Sequence, residues 1–301
     1  MRKLDIHFST PDEAREFVLR TEAEFEEKLR LSVRDALSIG NKIITLAGPT
    51  CSGKTTTANL LDEEIEKTGH QSVVFSIDDF YLDNIRARTP EGEVPDFDSV
   101  KTIDLKYLEK FTKKVLSGKT AKIPKFNFTN GRREGYTKFV PLENDIYVFE
   151  GIQAMYPEVS AILGECTKIF IAVGEDVCLN GVEFEASDIR LLRRTIRDYK
   201  FRNSTPEYTL FCWDKVRENE VLNIFPNAGK RDIFINSYLP YELFALSETA
   251  YPLLSSVAPD DAHYERAKAL SDKLLKIKDD FFDLSFIPDT SMFREFIGPR
   301  E

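Results

Sequence analysis

Residues 42–56, KIITLAGPTCSGKTT, constrain this chain more than any other stretch. Ile43, Ile44, Leu46 and Ala47 form a nearly continuous apolar run, the pattern of a strand buried on both faces. The run breaks at Gly48. From there Gly48-Pro49-Thr50-Cys51-Ser52-Gly53-Lys54-Thr55 fits G-x-x-x-x-G-K-[ST] without departure. A helical segment follows from Lys54 to about Lys67, ending near Gly69. Strand, glycine turn and helix in that order predict a phosphate cradle. Gly48 and Gly53 let backbone N–H groups face a phosphate with no side chain in the way. The helix N-terminus adds partial positive charge. Lys54 is expected on the β- and γ-phosphates of a nucleotide and the Thr55 hydroxyl on Mg²⁺, with Thr56 completing the donor-binding set of residues 48–56.

Around this stretch, short apolar runs alternate with helical segments. Residues 72–77, 145–149, 168–173 and 231–236 read as strands, and 102–116 and 187–202 as helices. That alternation predicts an α/β fold with a mostly parallel sheet and helices on both faces. Residues 121–129 read as an exposed strand, followed by Asn130-Gly131, a favoured two-residue hairpin turn. Residues 82–101, with Pro90, Gly92 and Pro95, read as a long loop of the kind that is commonly functional. Near the N-terminus, Thr10 suits an N-cap, Pro11 the first helical position, and Glu13 a capping box. Phe17, Val18, Phe25 and Leu29 then recur at helical spacing up to Gly40. This helix carries no chemistry and serves packing or oligomerisation, so a homo-oligomer stays open. The tail is expected to be helical to about Phe282.

The 301 residues are 42% hydrophobic, enough for one large domain with appendages. A net charge of −10 argues against a nucleic-acid partner. The four cysteines are scattered, with no CxxC pair, which fits a reduced cytoplasm and neither a disulfide framework nor a zinc site. There is no apolar run of signal-peptide length at the start and none long enough to span a membrane. Three histidines leave little room for catalysis by a histidine base.

Two acids close apolar runs after the glycine loop, Asp78 and Glu150. Ligands of open parallel sheets sit beyond the carboxyl ends of the strands, so both acids are expected to face the crevice of Lys54. One carboxylate there can hold Mg²⁺ and the other can accept a proton from an attacking hydroxyl. Arg190, Arg193, Arg194 and Arg197 fall on one helical face, a concentration of charge that asks for an anion such as a triphosphate. Phe80, Tyr81, Phe97, Phe126 and Phe128 lie in or beside the loop and hairpin, off core-helix spacing. They can sandwich a flat base, with Asp98 accepting from sugar hydroxyls.

Together the segments GPTCSGKTT, SIDDFY, DFDSVKTIDL, IPKFNF, VFEGI and RLLRRTIRD resemble the uridine kinase branch of P-loop kinases, shared with phosphoribulokinase and bacterial pantothenate kinase. They are similar to a bacterial nucleoside-kinase subgroup whose longer members carry a region like that of threonyl-tRNA synthetase. FRNSTPEYTL, NIFPNAGKRDIFINSYLPYEL and IPDTSMFREFIG resemble the same subgroup. With about forty residues before the kinase part, no RNA role is carried over. The resemblance implies a P-loop NTPase fold, a three-layer α/β/α sandwich. It divides into a helical extension (1–40) and a kinase domain (41–301). The kinase domain holds an acceptor loop and hairpin at about 78–140, a lid at about 186–230 and a helical tail at about 250–301. It implies Asp78 as general base and metal-linked acid and Glu150 as a magnesium-linked acid. It places Arg194, Arg197 and Arg202 near the phosphates. Tyr81, Phe97, Asp98, Phe126 and Phe128 form its nucleoside pocket, and Arg133 and Arg194 complete the acceptor set. Two positions depart. Gly131 stands where uridine–cytidine kinases place a base-contacting histidine, and Ser204 where they have another lid arginine. The expected activity is ATP- or GTP-dependent, Mg²⁺-dependent phosphorylation of a primary hydroxyl, foremost the 5′-OH of a uridine- or cytidine-like nucleoside. The alternatives are another small alcohol, or a nucleotide sensor, against which the pair Asp78 and Glu150 argues.

Overall fold

The computed structural model describes residues 1–85, 97–128 and 130–300. Pro90, Gly92 and Pro95 of the long loop, and Thr129 of the hairpin, lie outside the described residues. In chain order the strands are β1 (Arg2–Leu4), β2 (Ile43–Ala47), β3 (Gln71–Ser76), β4 (Ala121–Asn127), β5 (Arg132–Phe139), β6 (Asp145–Glu150), β7 (Thr167–Ala172), β8 (Val177–Leu179), β9 (Val182–Phe184) and β10 (Ile233–Asn236). The main helices are α1 (Pro11–Ile39), α2 (Lys54–Glu66), α3 (Leu105–Leu116), α4 (Pro157–Leu163), α5 (Ala186–Arg202), α6 (Pro206–Asn219), α7 (Glu242–Ser255) and α8 (Tyr264–Lys276).

Five parallel strands make the central sheet, in the order β10-β7-β2-β6-β3. Every residue of β2 is buried. Alternate side chains feed two cores, as the two-residue period of a strand requires. Ile44, Leu46, Ile146, Val148, Ile169 and Ile171 enter one core together with side chains of α1, α2, α5, α7 and α8. Ile43, Ala47, Tyr147, Phe149 and Phe170 enter the other, under α3 and α4. The result is a three-layer α/β/α P-loop fold. Burying each such aliphatic side chain contributes about 1.5–3 kcal/mol, so the sheet is the firmest part of the frame.

α1 begins as its sequence predicts. Thr10 caps it by accepting from the Glu13 amide at 3.3 Å, Pro11 follows, and Gly40 closes it at φ 83°. The Glu13 carboxylate reaches the Ser9 amide at 2.7 Å rather than that of Thr10, so the capping box is displaced by one residue. Val18, Phe25 and Leu29 are buried, and Leu29 is 1% exposed. α1 packs on α2, β7 and β10. Ahead of it, β1 pairs in parallel with β8, which pairs with β9. None of these three short strands is long enough to show a period in sequence.

The hairpin β4–β5 stands apart as a two-stranded sheet with a bulge at Lys125/Phe126. Asn127 and Arg132 are its last paired residues, so the connection is longer than the Asn130-Gly131 turn the sequence suggests. Gly131 has φ 69°, and its amide donates back to the Asn127 carbonyl at 2.8 Å. Among the described residues, no helix is long and apolar enough to cross a membrane.

Candidate active site

β2 delivers the glycine loop to the carboxyl end of the sheet, between β6 and β7. A Cβ on Gly48 would lie 2.0 Å from the Ile171 carbonyl oxygen of β7, so only glycine lets the loop start this close to the sheet. Gly53 has φ 86°, and a Cβ there would meet Met292 Sδ at 2.2 Å. Cys51 also takes left-handed backbone, φ 56°. That conformation costs about 1–2 kcal/mol for a residue with a Cβ and persists only where the surroundings impose it. α2 begins with no side-chain cap and no acid in its first turn, which leaves its first amides to an anion. Lys54 Nζ donates to the Pro49 carbonyl at 3.0 Å. Ser52 is buried, Thr55 is exposed, and Thr56 donates to Glu295 at 2.9 Å.

The two acids reach this crevice by different routes. β3 stops at Ser76, and Ile77–Phe80 form a single 3₁₀ turn. That turn, not strand alternation, parts Asp78 from Asp79. Asp79 accepts from the Phe126 amide at 3.2 Å and ties the hairpin to the sheet. Asp78 lies on the side of Glu150 and Lys54. Burial pushes its carboxyl up to about 6, the Glu150 charge adds to this, and Lys54 opposes it. Glu150, paired in register with Ser76, accepts the Ser76 hydroxyl at 2.6 Å.

Tyr81 is the hub of the aromatic wall. Its ring packs edge-on against Phe97, Phe126 and Phe128 at centroid distances of 5.2, 5.3 and 5.8 Å. Its hydroxyl lies 3.2 Å from Asp78 Oδ1 and 2.5 Å from the Phe97 carbonyl oxygen. One proton serves one acceptor at a time. The fully buried Gln153 amide already supplies the Phe97 carbonyl at 2.6 Å and the Tyr81 oxygen at 3.1 Å. The phenol proton therefore lies between two acceptors, the Phe97 carbonyl and the Asp78 carboxylate. Gln153 was missed in sequence, although a polar residue three places past a buried strand, in EGIQ, is a readable signal. Tyr156 donates to the Asp98 carbonyl at 3.2 Å and sets that segment of backbone. Arg133, expected at the acceptor, donates to the Tyr81 carbonyl at 3.0 Å, the Phe80 carbonyl at 3.3 Å and the Asp104 carboxylate at 3.1 Å. It braces the wall from behind.

The arginine stripe divides. Arg190 is paired with Glu220 and Arg193 with Glu242, both inside the protein. Arg194, Arg197 and Arg202 converge on one carboxylate, Asp198, at 3.2, 2.7 and 3.5 Å. Three cations on one acid leave an excess of positive charge on that side of α5. No sequence pattern announced Glu220 or Glu242 as the partners.

Among the described residues, no cluster of three or more His, Cys, Asp or Glu is arranged for a metal. Mg²⁺ asks for less. It takes one or two carboxylates and keeps several waters. Thr55, Asp78 and Glu150 fit it, since the Glu150 charge that helps to raise Asp78 is what a divalent cation offsets.

Residues 43–241 match the Phosphoribulokinase / Uridine kinase family. Uridine-cytidine kinase C of Dictyostelium discoideum is 27% identical over 198 residues, which cover 64% of this chain and 39% of that protein. A uridine kinase of Ureaplasma parvum serovar 3 is 28% identical over 171 residues, 57% of this chain and 75% of its own. A solved structure from Silicibacter sp. TM1040 overlaps 68% of this chain and 98% of its own at 18% identity and a TM-score of 0.48. The family match begins at the first residue of β2 and ends beyond β10, so it takes in all five strands of the central sheet, and this chain belongs to the phosphoribulokinase / uridine kinase family of P-loop kinases.

Proposed function

We propose that the protein transfers the γ-phosphate of ATP or GTP to a primary hydroxyl, the 5′-OH of a nucleoside. The observation that carries this is Asp78, a carboxylate raised to about 6 between Glu150 and Lys54 and touching the Tyr81 hydroxyl of the aromatic wall. A base for a hydroxyl needs this poise, basic enough to accept a proton and ionised near neutrality. In the proposal the loop amides and Lys54 hold the triphosphate. Thr55, Glu150 and Asp78 would hold Mg²⁺, which would supply neutralising charge to the phosphates. Asp78 orients the hydroxyl and takes its proton late in the step. Arg194 and Arg197 face the charge that builds on the transferred group. The names of the curated relatives support a nucleoside acceptor.

Gly131 qualifies the base preference. Its amide serves the hairpin turn, and its carbonyl accepts from the Ile85 amide outside the hairpin at 3.0 Å. It has no side chain with which to read a pyrimidine edge. The test is a phosphate-transfer panel with labelled ATP and GTP over uridine, cytidine, purine nucleosides, ribulose 5-phosphate and pantothenate. Transfer to a nucleoside 5′-OH is expected. Transfer only to a non-nucleoside alcohol would move the acceptor class. Nucleotide binding without transfer to any of them would favour a sensor.

A further inference from the structure

We infer that Arg190 and Arg193 of α5 are positioning residues that aim the backbone amides of the phosphate loop. The inference rests on the reading that this loop binds a phosphate chain.

Arg193 is 0% exposed and Arg190 2% exposed. Arg193 is paired with Glu242, and Arg190 with Glu220, a carboxylate that Arg217 shares. One terminal nitrogen of each also reaches a carbonyl of the glycine loop, and the two carbonyls are consecutive. Arg193 Nη1 donates to the Cys51 carbonyl at 3.1 Å, and Arg190 Nη1 to the Thr50 carbonyl at 3.4 Å. In a planar trans peptide the C=O and the following N–H point in opposite directions. Drawing the Thr50 and Cys51 carbonyls toward α5 therefore turns the Cys51 and Ser52 N–H groups away from it, into the loop. Among the described residues, no protein acceptor takes either of these two amides. Unpaired N–H groups beside a left-handed residue are the makings of an anion nest.

The same grip accounts for Cys51. A side chain at φ 56° is strained, and a guanidinium on its carbonyl holds it there. Arg193 is itself fixed from three further sides. It donates to the Ser237 carbonyl at 2.8 Å and to Glu242 at 2.5 Å, and its guanidinium lies 5.0 Å from the Phe296 ring. Arg190 lies 5.6 Å from the Trp213 ring. A planar fork is needed to serve a carboxylate and a carbonyl at once, and a lysine, a single point charge, cannot replace it.

The test is calorimetric binding of inorganic tripolyphosphate and of ATP to the full chain, comparing Arg190→Lys, Arg193→Lys and Leu254→Ala. Leu254 is a buried α7 side chain away from the loop, so Leu254→Ala lowers stability without touching the cradle. Each lysine variant, folded by circular dichroism, is expected to bind tripolyphosphate and ATP about tenfold more weakly, the loss of roughly one charge-assisted hydrogen bond. Leu254→Ala is expected to keep wild-type affinity while melting earlier. If Arg193→Lys does not fold, Arg190→Lys carries the test. Wild-type affinity in a folded lysine variant, or an equal loss in Leu254→Ala, would overturn the inference. So would a wild-type chain that binds no tripolyphosphate. A chain that binds it but phosphorylates no nucleoside loses only the acceptor reading.

Discussion

Thr56 and Glu295 meet at 2.9 Å across 239 positions of sequence. The Thr56 hydroxyl, in the first turn of α2, donates to a carboxylate from the C-terminal segment, whose Met292 also covers Gly53. α1 holds that segment in place. Its Glu22 accepts the Ser291 hydroxyl at 2.6 Å and also pairs with the Tyr241 hydroxyl. The C-terminal segment thus links α1 to the phosphate loop.

A carboxylate suits the amide-rich first turn of α2 but repels an arriving phosphate chain. Glu295→Gln keeps the shape and removes the charge. Nucleotide affinity is expected to rise about threefold to tenfold, the scale of one partly screened charge pair. Titration calorimetry measures it. Weaker binding in the variant would instead make Glu295 part of the nucleotide site.

Asp78→Asn is expected to lower turnover by roughly a hundredfold to ten-thousandfold, the span for loss of a general base. Asp79→Asn should leave turnover nearly intact and loosen the hairpin, because Asp79 holds the Phe126 amide. The pH dependence carries a sign. A base works deprotonated, so kcat/KM for the donor, which reports the free enzyme, should rise with pH through about 6, where Asp78 ionises. Tyr81→Phe removes a hydrogen bond to the ionised form and should move that limb to higher pH. A limb that stays in Asp78→Asn would assign it to another group.

Arg194→Ala and Arg197→Ala should depress turnover far more than donor binding measured without acceptor. Both share Asp198 on the side of α5 where charge is in excess, and in the proposed mechanism they would meet charge that develops during transfer. Rapid-quench rates set beside calorimetric affinities make the comparison. Equal losses in both would put these arginines in the ground-state site. The effect does not require α5 to move as a whole. Ile189, Leu191, Leu192 and Ile196 of α5, and Leu210 and Trp213 of α6, are buried in the main core, so any closure is confined to exposed parts such as the last turn of α5.

Leu29→Ala should cost about 2–5 kcal/mol, the range for truncating a buried leucine that leaves a cavity. Leu29 lies in the same core as β2, β7 and α2. Urea denaturation reads the loss. A cost under about 1 kcal/mol would make α1 peripheral to the fold.

By itself the sequence determined whatever depends on near neighbours. The strand, glycine turn and helix of residues 43–66 need only local torsions, steric room and apolar continuity, and all three are written in one run. The Thr10 cap and Gly40 stop of α1 are local in the same sense. Asp78 and Glu150 were legible because each ends an apolar run. Tertiary structure decided the partners. Helical spacing places Arg190, Arg193, Arg194 and Arg197 on one face, but spacing does not say what that face meets. Glu220 and Glu242, 30 and 49 residues further on, pair with the first two, and the other two share Asp198. The same holds for Asp79 at the Phe126 amide, Arg133 behind Tyr81, and Glu295 at Thr56. A charge finds its counter-charge through space. Chain order constrains that distance only weakly, because the entropy of closing a loop grows only logarithmically with its length.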